Sequence, residues 1–378
     1  MRIAVDAREL VGRRTGVGRY LERLLTHWSD LPRARDHHFT LYSHAPFAGA
    51  WRLPVSTTVL AGTGGTRWEQ ATLAAALRRT APDVLFAPAY TAPLLAGVPF
   101  VLSLHDVSFL AHPEWFGWRE RWRRRMLTRA AAHRARVVLT LSEFSRREIE
   151  RHTRLPAARI RIVRPGLDLP GEATAPAATT GDRAPLVLFA GTLLNRRHVP
   201  ALVRAVALAA EQIPDVRLVI AGDNRTWPRE DPGAIAAALG ASSRVEVRAF
   251  VEEEELRRLY AEASVFVFLS EYEGFGLTPL EALAAGAAPL VLDTLVAREV
   301  YGAAARYVER PEPSAVAAAM VELLRAPERR AALLAEAPAV LARYRWAEAA
   351  DATLEAIEGP ERGQTGVRPQ SDPGLTPV

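Results

Sequence analysis

The sequence predicts an α/β protein of two doubly wound domains, each with a parallel sheet covered by helices on both faces. Short apolar runs alternate with segments of helical period along most of the chain, which is the pattern of parallel sheets with crossover helices. Residues 170–185, rich in proline, alanine and threonine, interrupt this alternation and have the composition of a linker. The length of 378 residues also exceeds what one hydrophobic core usually supports.

The predicted strands are short apolar runs bounded by turn residues. They are RIAV (2–5), FTLY (39–42), DVLFA (83–87), FVLSL (100–104), VVLTL (137–141) and IRIV (160–163), then LVLFA (186–190), VRLVIA (216–221), VEVRAF (245–250), SVFVFLS (264–270) and APLVL (288–292). Amphipathic segments such as residues 18–28 and 67–80 predict the helices between them. We therefore expect an N-terminal domain over residues 1–169 and a C-terminal domain over residues 186–345.

The end of the chain predicts one more helix and a tail. Residues 346–358 have an amphipathic helical period, and we expect this helix to pack back on the N-terminal domain. Residues 359–378 are polar or rich in glycine and proline, which predicts disorder. Because ligands of open parallel sheets bind beyond the carboxyl ends of the strands, two facing domains predict a site in the cleft between them.

The composition excludes several classes of protein. The chain contains no cysteine and no lysine, so all 48 basic residues are arginine; disulfides, thiolate chemistry, lysine Schiff bases and a lysine-bearing phosphate loop are excluded. The net charge of +5 is spread along the chain without a binding motif, so we expect no nucleic-acid partner. The first residues lack the order of a secretory signal and no apolar run is long enough to span a bilayer, which predicts a cytoplasmic protein.

The stretch SEYEGFGLTPLEALAAGAAPLV, residues 270–291, follows a predicted strand and contains Glu273 and Glu281. Thr278 is the predicted N-cap of the next helix, Pro279 its first residue, and Glu281 the partner of Thr278 in a capping box. Capping alone would explain Glu281 about as well as a binding role does. Glu273 lies before the turn and outside any cap. It is therefore either a binding residue or an exposed carboxylate of the loop.

The turn between these glutamates predicts a ligand with two kinds of group. Gly274 and Gly276 allow a ligand to approach the main chain, and the helix start presents free N–H groups to an anion such as phosphate. Carboxylates beside a phosphate site need neutral hydrogen-bond donors, which sugar hydroxyls supply. A nucleotide sugar offers hydroxyls and phosphates in one molecule.

The same stretch resembles the E-x7-E signature of the retaining glycosyltransferases of family 4, which have the GT-B fold of two facing Rossmann-like domains. Four further segments are similar to that family's blocks, in the family's order: residues 103–116, 141–149, 190–206 and 250–277. The resemblance covers nearly all of residues 1–358. It implies transfer of a hexose, with mannose from GDP-mannose favoured, from a nucleoside diphosphate sugar to a hydroxyl of a glycan, lipid-linked or small-molecule acceptor, without a cofactor.

The resemblance also implies roles for individual residues. Glu273 matches the acid that holds hydroxyls of the transferred sugar, and Glu281 matches the acid that binds the ribose. His105 matches a histidine that lies over the donor sugar and supports an oxocarbenium-like transition state, although a lone His-Asp pair usually indicates an ordinary loop histidine. The main-chain amides implied to bind the diphosphate are those of Phe275, Gly276, Leu277 and Thr278.

Arg196 and Arg197 open a predicted helix after the first strand of the second domain. Adjacent arginines usually form a solvated face, but at a cleft their forked guanidinium groups suit a diphosphate. The family typically has an arginine directly after the strand's glycine and a lysine several residues later, whereas this chain has Thr192 and Arg197. Gly16 and Gly18 belong to a glycine turn that opens a predicted helix. Taken by itself, this turn indicates an ordinary loop. The resemblance implies a binding role, because a comparable loop of the family closes near the donor sugar and the acceptor.

The remaining expectations concern partners and alternatives. Residues 117–136 mix two tryptophans with many arginines, which predicts a solvated helix face, slightly preferred over contact with an anionic membrane at the inner face. The sequence contains neither an Asp-x-Asp signature nor a cluster of histidines or cysteines with ligand spacing, so we expect no metal site. A sugar-nucleotide epimerase of the same fold and an inactive glycosyltransferase-like subunit, the latter motivated by Thr192 and Arg197, remain the alternatives to a transferase.

Overall fold

Two parallel β-sheets organise the chain, one in each half of the sequence. The computed structural model describes residues 1–13, 16–168 and 183–359. The strands of the first sheet are β1 (Arg2–Asp6), β2 (His38–Ser43), β3 (Val55–Val59), β4 (Val84–Ala87), β5 (Phe100–Ser103), β6 (Val137–Thr140) and β7 (Ile160–Ile162). Those of the second are β8 (Leu186–Ala190), β9 (Arg217–Ala221), β10 (Val245–Arg248), β11 (Val265–Phe268), β12 (Ala288–Leu292) and β13 (Arg306–Val308).

The strand order is β3-β2-β1-β4-β5-β6-β7 in the first sheet and β10-β9-β8-β11-β12-β13 in the second. Neighbouring strands pair in parallel, as between β1 and β4 or β8 and β11, so the predicted doubly wound α/β class is confirmed. In both sheets the order reverses beside the first strand, and ligands of such sheets bind at that reversal. Most of the predicted linker and the predicted tail beyond residue 359 lie outside the described residues.

Two edge strands, β3 and β13, were not predicted from the sequence. β3, with the sequence VSTTV, is half exposed, and β13 has only three residues. An edge strand has one neighbour and a partly solvated face, so it lacks the continuous apolar run that identified the buried strands. The other predicted strands are confirmed, with ends that shift by a residue or two.

The helices cover both faces of each sheet. They are α1 (Gly16–Trp28), α2 (Ala74–Thr80), α3 (Ser108–Ala111), α4 (Trp118–Arg134), α5 (Glu143–Thr153), α6 (Val199–Ala209), α7 (Pro232–Ala238), α8 (Glu253–Glu262), α9 (Leu277–Ala284), α10 (Leu295–Tyr301), α11 (Pro313–Arg325), α12 (Pro327–Ala335), α13 (Ala337–Leu341) and α14 (Trp346–Glu358). A π-helical segment, Trp68–Leu73, leads into α2. The central strands β4, β5, β11 and β12 are buried along their whole length.

The last helix returns to the first domain. The apolar face of α14 joins the core formed by α1 and the first sheet, where Leu354 and Ile357 are fully buried; each such side chain contributes about 1.5–3 kcal/mol of burial free energy. The indole Nε1 of Trp28 donates to the carbonyl of Ala350 at 2.8 Å. The chain therefore crosses between the domains a second time. Gly166, near the end of the first domain, lies close to the start of α14, because a Cβ built on it would be 2.2 Å from the backbone nitrogen of Trp346.

Candidate active site

Three loops from two domains meet at the carboxyl ends of the sheets. His105 follows β5 in the first domain, the 3₁₀ segment Asn195–Arg197 follows β8, and Glu273 follows β11 in the second. The first and third loops touch, because a Cβ built on Gly274 would lie 1.8 Å from the carbonyl oxygen of His105. The fold thus brings His105, Glu273 and the arginine pair to one place.

Glu273 is the centre of an ion-pair cluster. Its Oε1 accepts hydrogen bonds from Nε of Arg197 at 2.9 Å and from the hydroxyl of Ser270 at 2.8 Å. The Nη2 atom of Arg197 lies 2.8 Å from the same oxygen, and Nη2 of Arg196 lies 3.7 Å from Oε2. Burial raises the pKa of Glu273, but Arg197, Arg196 and Ser270 outweigh it and hold the pKa below its ordinary value of 4.5. The side chain is therefore a carboxylate at neutral pH.

The two arginines are themselves fixed by surrounding groups. Arg197 donates from Nη1 to the carbonyl of Thr192 at 2.8 Å and lies over the ring of Phe268. Arg196 donates from Nε to the carbonyl of Tyr272 at 3.0 Å and lies over the ring of Trp115. A guanidinium has five N–H donors, so both retain donors for a further ligand. Thr192 and Arg197, the two residues that depart from the family pattern, are thus joined by a hydrogen bond to the Thr192 backbone.

His105 is buried between two aromatic rings. The ring of Tyr20 lies edge-on at 4.8 Å and that of Tyr90 at 5.9 Å. Its Nε2 lies 2.8 Å from the carbonyl of Pro88; because a carbonyl only accepts, Nε2 carries the proton and Nδ1 of the neutral ring is an acceptor. Burial lowers the pKa of His105 below 6.5, outweighing the opposite effects of Pro88 and Asp106. The imidazole is therefore neutral at pH 7.

This pKa gives a testable pH dependence of stability. Because the pKa of His105 is lower in the folded than in the unfolded protein, the unfolded chain takes up the proton first as pH falls below about 6.5. The free energy of unfolding then decreases by at most about 1.4 kcal/mol per pH unit from this group. Urea unfolding of wild type and His105→Asn at pH 7 and pH 5 should show wild type losing more stability; an equal loss would contradict a buried neutral imidazole.

The two glycines of the turn pack closely against protein atoms. The space of a Gly274 side chain is occupied by the backbone of His105, and that of Gly276 by the hydroxyl of Tyr301, 2.2 Å from a built Cβ. The Tyr301 hydroxyl donates to the Gly276 carbonyl at 2.9 Å. Protein atoms therefore occupy the position of a Cβ at both glycines, and the approach of a ligand to the main chain of this turn stays a prediction.

The helix after the turn starts earlier than predicted. α9 begins at Leu277 with Gly276 as its N-cap in the left-handed region at φ +93°, and Thr278 makes no capping hydrogen bond. The predicted capping box is therefore wrong: only glycine adopts this conformation without strain, and it moves the helix start by two residues. Phe275 points into the core against Tyr344, so it offers a ligand only its backbone.

Glu281 bonds a buried tyrosine. Its Oε2 accepts a hydrogen bond from the hydroxyl of Tyr260 at 2.9 Å. Burial raises the pKa of Glu281, opposed by Tyr260 and by the charge of Arg19. Because Glu281 does not cap α9, its side-chain oxygens can accept further hydrogen bonds from hydroxyls of a ligand.

The first turn of α1 lies near His105 and Glu281. α1 begins at Gly16, and Gly18 is buried. Tyr20 contacts the ring of His105. The positive charge of Arg19, the residue between Gly18 and Tyr20, lowers the pKa of Glu281. Arg13 of the same loop stacks on Phe250 of the second domain at 3.6 Å. Sequence reasoning missed Arg13, Arg19 and Tyr260, whose only signal was their position at strand or helix ends near the cleft.

Metal ligands are not grouped in the part of the chain that the structure describes, where no cluster of three or more histidine, aspartate or glutamate side chains could hold an ion.

Comparison with known proteins identifies the family. The model for Glycosyltransferase Family 4 matches residues 14–170, and the model for Glycosyl transferases group 1 matches residues 174–339. The two matches together span most of the sequence, and with the two parallel sheets they show a glycosyltransferase of the GT-B type. The chain belongs to glycosyltransferase family 4.

Two relatives and one solved structure are similar to this chain. O-antigen chain mannosyltransferase B of Escherichia coli is 26% identical over 270 residues, which cover 68% of this chain and 70% of that protein. The GDP-mannose:cellobiosyl-diphosphopolyprenol alpha-mannosyltransferase of Xanthomonas oryzae pv. oryzae is 29% identical over 201 residues, 53% of this chain and 50% of that protein; the match thus spans half of its length. HepE of Anabaena, solved with UDP and glucose, has a TM-score of 0.72 at 18% identity and covers 95% of this chain and 99% of that one, which establishes the fold.

Proposed function

We propose that this protein is a retaining, metal-independent glycosyltransferase that moves a hexose from a nucleoside diphosphate sugar to a hydroxyl. The observation that carries the proposal is the Glu273 carboxylate, held ionised between Arg196 and Arg197 and directly before the N-terminus of α9. Carboxylate acceptors for sugar hydroxyls lie beside guanidinium and amide donors for a diphosphate. This pairing matches the two kinds of group that a nucleotide sugar offers.

The reaction assigned to this site is a displacement at the anomeric carbon of the donor. The bond from that carbon to the diphosphate oxygen breaks, a bond to the acceptor oxygen forms on the same face, and the acceptor proton passes to the departing phosphate oxygen. The free N–H donors of Arg196 and Arg197 and the amides of Leu277 and Thr278 stabilise the charge that develops on the diphosphate. Nδ1 of His105 accepts from a sugar hydroxyl and holds the ring in position.

Mannose from GDP-mannose is the proposed donor group. Two of the similar proteins are mannosyltransferases by name, and one of them is named for GDP-mannose. The structural neighbour was solved with UDP and glucose, so UDP-glucose is the competing donor. Glu281 would bind the ribose hydroxyls, which both donors carry.

A lipid-linked acceptor is supported by the surface of α4. Trp118, Trp122 and Met126 are 69%, 65% and 51% exposed, and their spacing of four residues places them on one helix face. Arginines 119, 121, 123, 124 and 125 surround this stripe, a composition that suits an anionic membrane surface. No helix of the described chain has the length and apolarity needed to cross a bilayer; the proposed contact is peripheral.

The double variant Trp118→Ser, Trp122→Ser should lower binding to vesicles that contain anionic phospholipid about tenfold or more, because two exposed aromatic anchors are lost. Cosedimentation at low and high salt measures this, and the arginine contribution should weaken with salt. Trp227→Ser is the matched control, since Trp227 is 79% exposed on the other domain. Equal binding of the double variant and wild type would contradict membrane contact by α4.

A turnover assay tests the proposed function. Wild type is incubated with GDP-mannose or UDP-glucose, with and without hydroxyl acceptors and with and without a chelator, and the anomeric configuration of the product is read by NMR. Acceptor-dependent nucleotide release with retained configuration supports the proposal. Release of free nucleotide without an acceptor supports an epimerase, and no turnover with any donor supports an inactive subunit; an inverted product or loss of activity on chelation overturns the retaining, metal-independent mechanism.

A further inference from the structure

The first turn of α5 connects the two domains at the reaction site. Ser142 is its N-cap, and the Ser142 hydroxyl oxygen accepts from the backbone N–H of Ser145 at 3.0 Å. The same hydroxyl donates to the carbonyl of Gly274 in the second domain at 2.7 Å, and the hydroxyl of Ser145 donates to that carbonyl at 2.9 Å. Both serines are fully buried, so one carbonyl beside Glu273 accepts two buried hydrogen bonds.

A carboxylate from the second domain completes this contact. Oε1 of Glu299, on α10, accepts from the backbone N–H of Glu143 at 2.7 Å, and Oε2 accepts from that of Phe144 at 2.9 Å. A helix leaves its first N–H groups without partners inside the helix and carries partial positive charge at that end. Glu299 satisfies two of these groups across the domain boundary with charge-assisted hydrogen bonds.

The contact bears on the reaction through Gly274. This residue follows Glu273 directly, and its backbone lies against that of His105. The hydroxyl of Tyr272, on the other side of Glu273, donates to Oε2 of Glu148 of α5 at 3.2 Å. The loop that carries Glu273 is thus tied to α5 on both sides, while the donor-binding amides and Glu281 belong to the second domain alone.

We propose that Ser142, Ser145 and Glu299 are positioning residues for the reaction: they hold the loop of Glu273 against His105 and so set the relative placement of two groups from different domains. The inference rests on the proposed function. It assigns the three residues to turnover and not to donor binding, since none of them belongs to the arginine pair, the α9 amides or Glu281.

The test compares kcat with nucleotide affinity. Glu299→Ala should lower kcat about tenfold to a hundredfold, the range expected when charge-assisted hydrogen bonds are lost, while the dissociation constants of GDP and UDP stay within twofold of wild type. Glu299→Gln keeps one carbonyl acceptor and should recover part of kcat, and Ser145→Ala should reproduce the split if Glu299→Ala does not fold. Glu150→Gln, an exposed acid on the same helix, is the control and should leave kcat unchanged.

Hydrogen exchange separates this inference from the proposed function. The amides of residues 143 and 144 should exchange faster in Glu299→Ala than in wild type and Glu150→Gln, whether or not the protein transfers sugar. A wild type that transfers no sugar overturns the proposed function, and unchanged exchange overturns the positioning contact. Unchanged kcat in Glu299→Ala, or a parallel loss of kcat and nucleotide affinity, overturns the positioning role.

Discussion

Glu273→Gln should lower kcat about a hundredfold to a thousandfold, the range seen when one preorganised electrostatic group is removed. Glutamine keeps the size of the side chain and removes the charge that Arg196 and Arg197 neutralise. Two guanidinium groups that are only 12% and 14% exposed would then lack a counter-ion, so stability should also fall by about 1–3 kcal/mol. Steady-state kinetics with the donor that wild type turns over and urea unfolding measure the two effects.

Glu271→Gln is the matched control for this variant. Glu271 is two residues away, is 43% exposed and pairs with His198, so its loss should change kcat and stability little. In the double variant Glu273→Gln, Arg197→Leu, both members of the pair lose their charge, and stability should partly recover relative to the single variant. Turnover of Glu273→Gln within threefold of wild type would contradict the role assigned to this carboxylate.

Gly274→Ala should abolish most of the activity by separating the domains at the site. A Cβ at this position would lie 1.8 Å from the carbonyl oxygen of His105 and 3.2 Å from the Asp106 Cβ. Backbone atoms cannot move aside as the end of a flexible side chain does, so the two loops must part and His105 must leave Glu273. We expect kcat to fall at least about a hundredfold, with overpacking costing about 1–3 kcal/mol of stability.

Gly117→Ala controls for the loss of a glycine as such, because a Cβ there meets no atom within 4 Å. Far-UV circular dichroism of both variants should match wild type, since each sheet and its helices stay intact. Nucleotide affinity of Gly274→Ala should change less than kcat. A Gly274→Ala protein with wild-type kcat and melting temperature would show that the two domains do not meet at this residue during the reaction.

Much of the fold follows from local pattern. The buried parallel strands are continuous apolar runs, such as VFVF in β11, and the helices between them have a clear amphipathic period, so both can be read one element at a time. β3 and β13 escaped this reading because an edge strand needs no such run. The early start of α9 escaped it because the left-handed conformation of Gly276 overrides the Thr278 capping signal.

The candidate site is predictable only where a motif marks it. Glu273, Glu281, His105 and the arginine pair stand in segments similar to the family's blocks. The fold places Glu281 on α9 and the others in loops that follow strands. The contacts of Glu299 with α5 and of Arg13 with Phe250 join residues far apart in sequence. Neither has a local signature, because domain packing alone brings these partners together.

A crystal structure of the protein with GDP-mannose or UDP-glucose bound would show where the donor lies. We expect the diphosphate at the N-terminus of α9, within hydrogen-bonding distance of the amides of Leu277 and Thr278 and of Arg196 or Arg197. The sugar hydroxyls should contact Glu273 and Nδ1 of His105. A donor bound elsewhere in the cleft, with Glu273 contacting only Arg196 and Arg197, would contradict the proposed role of Glu273 in donor binding.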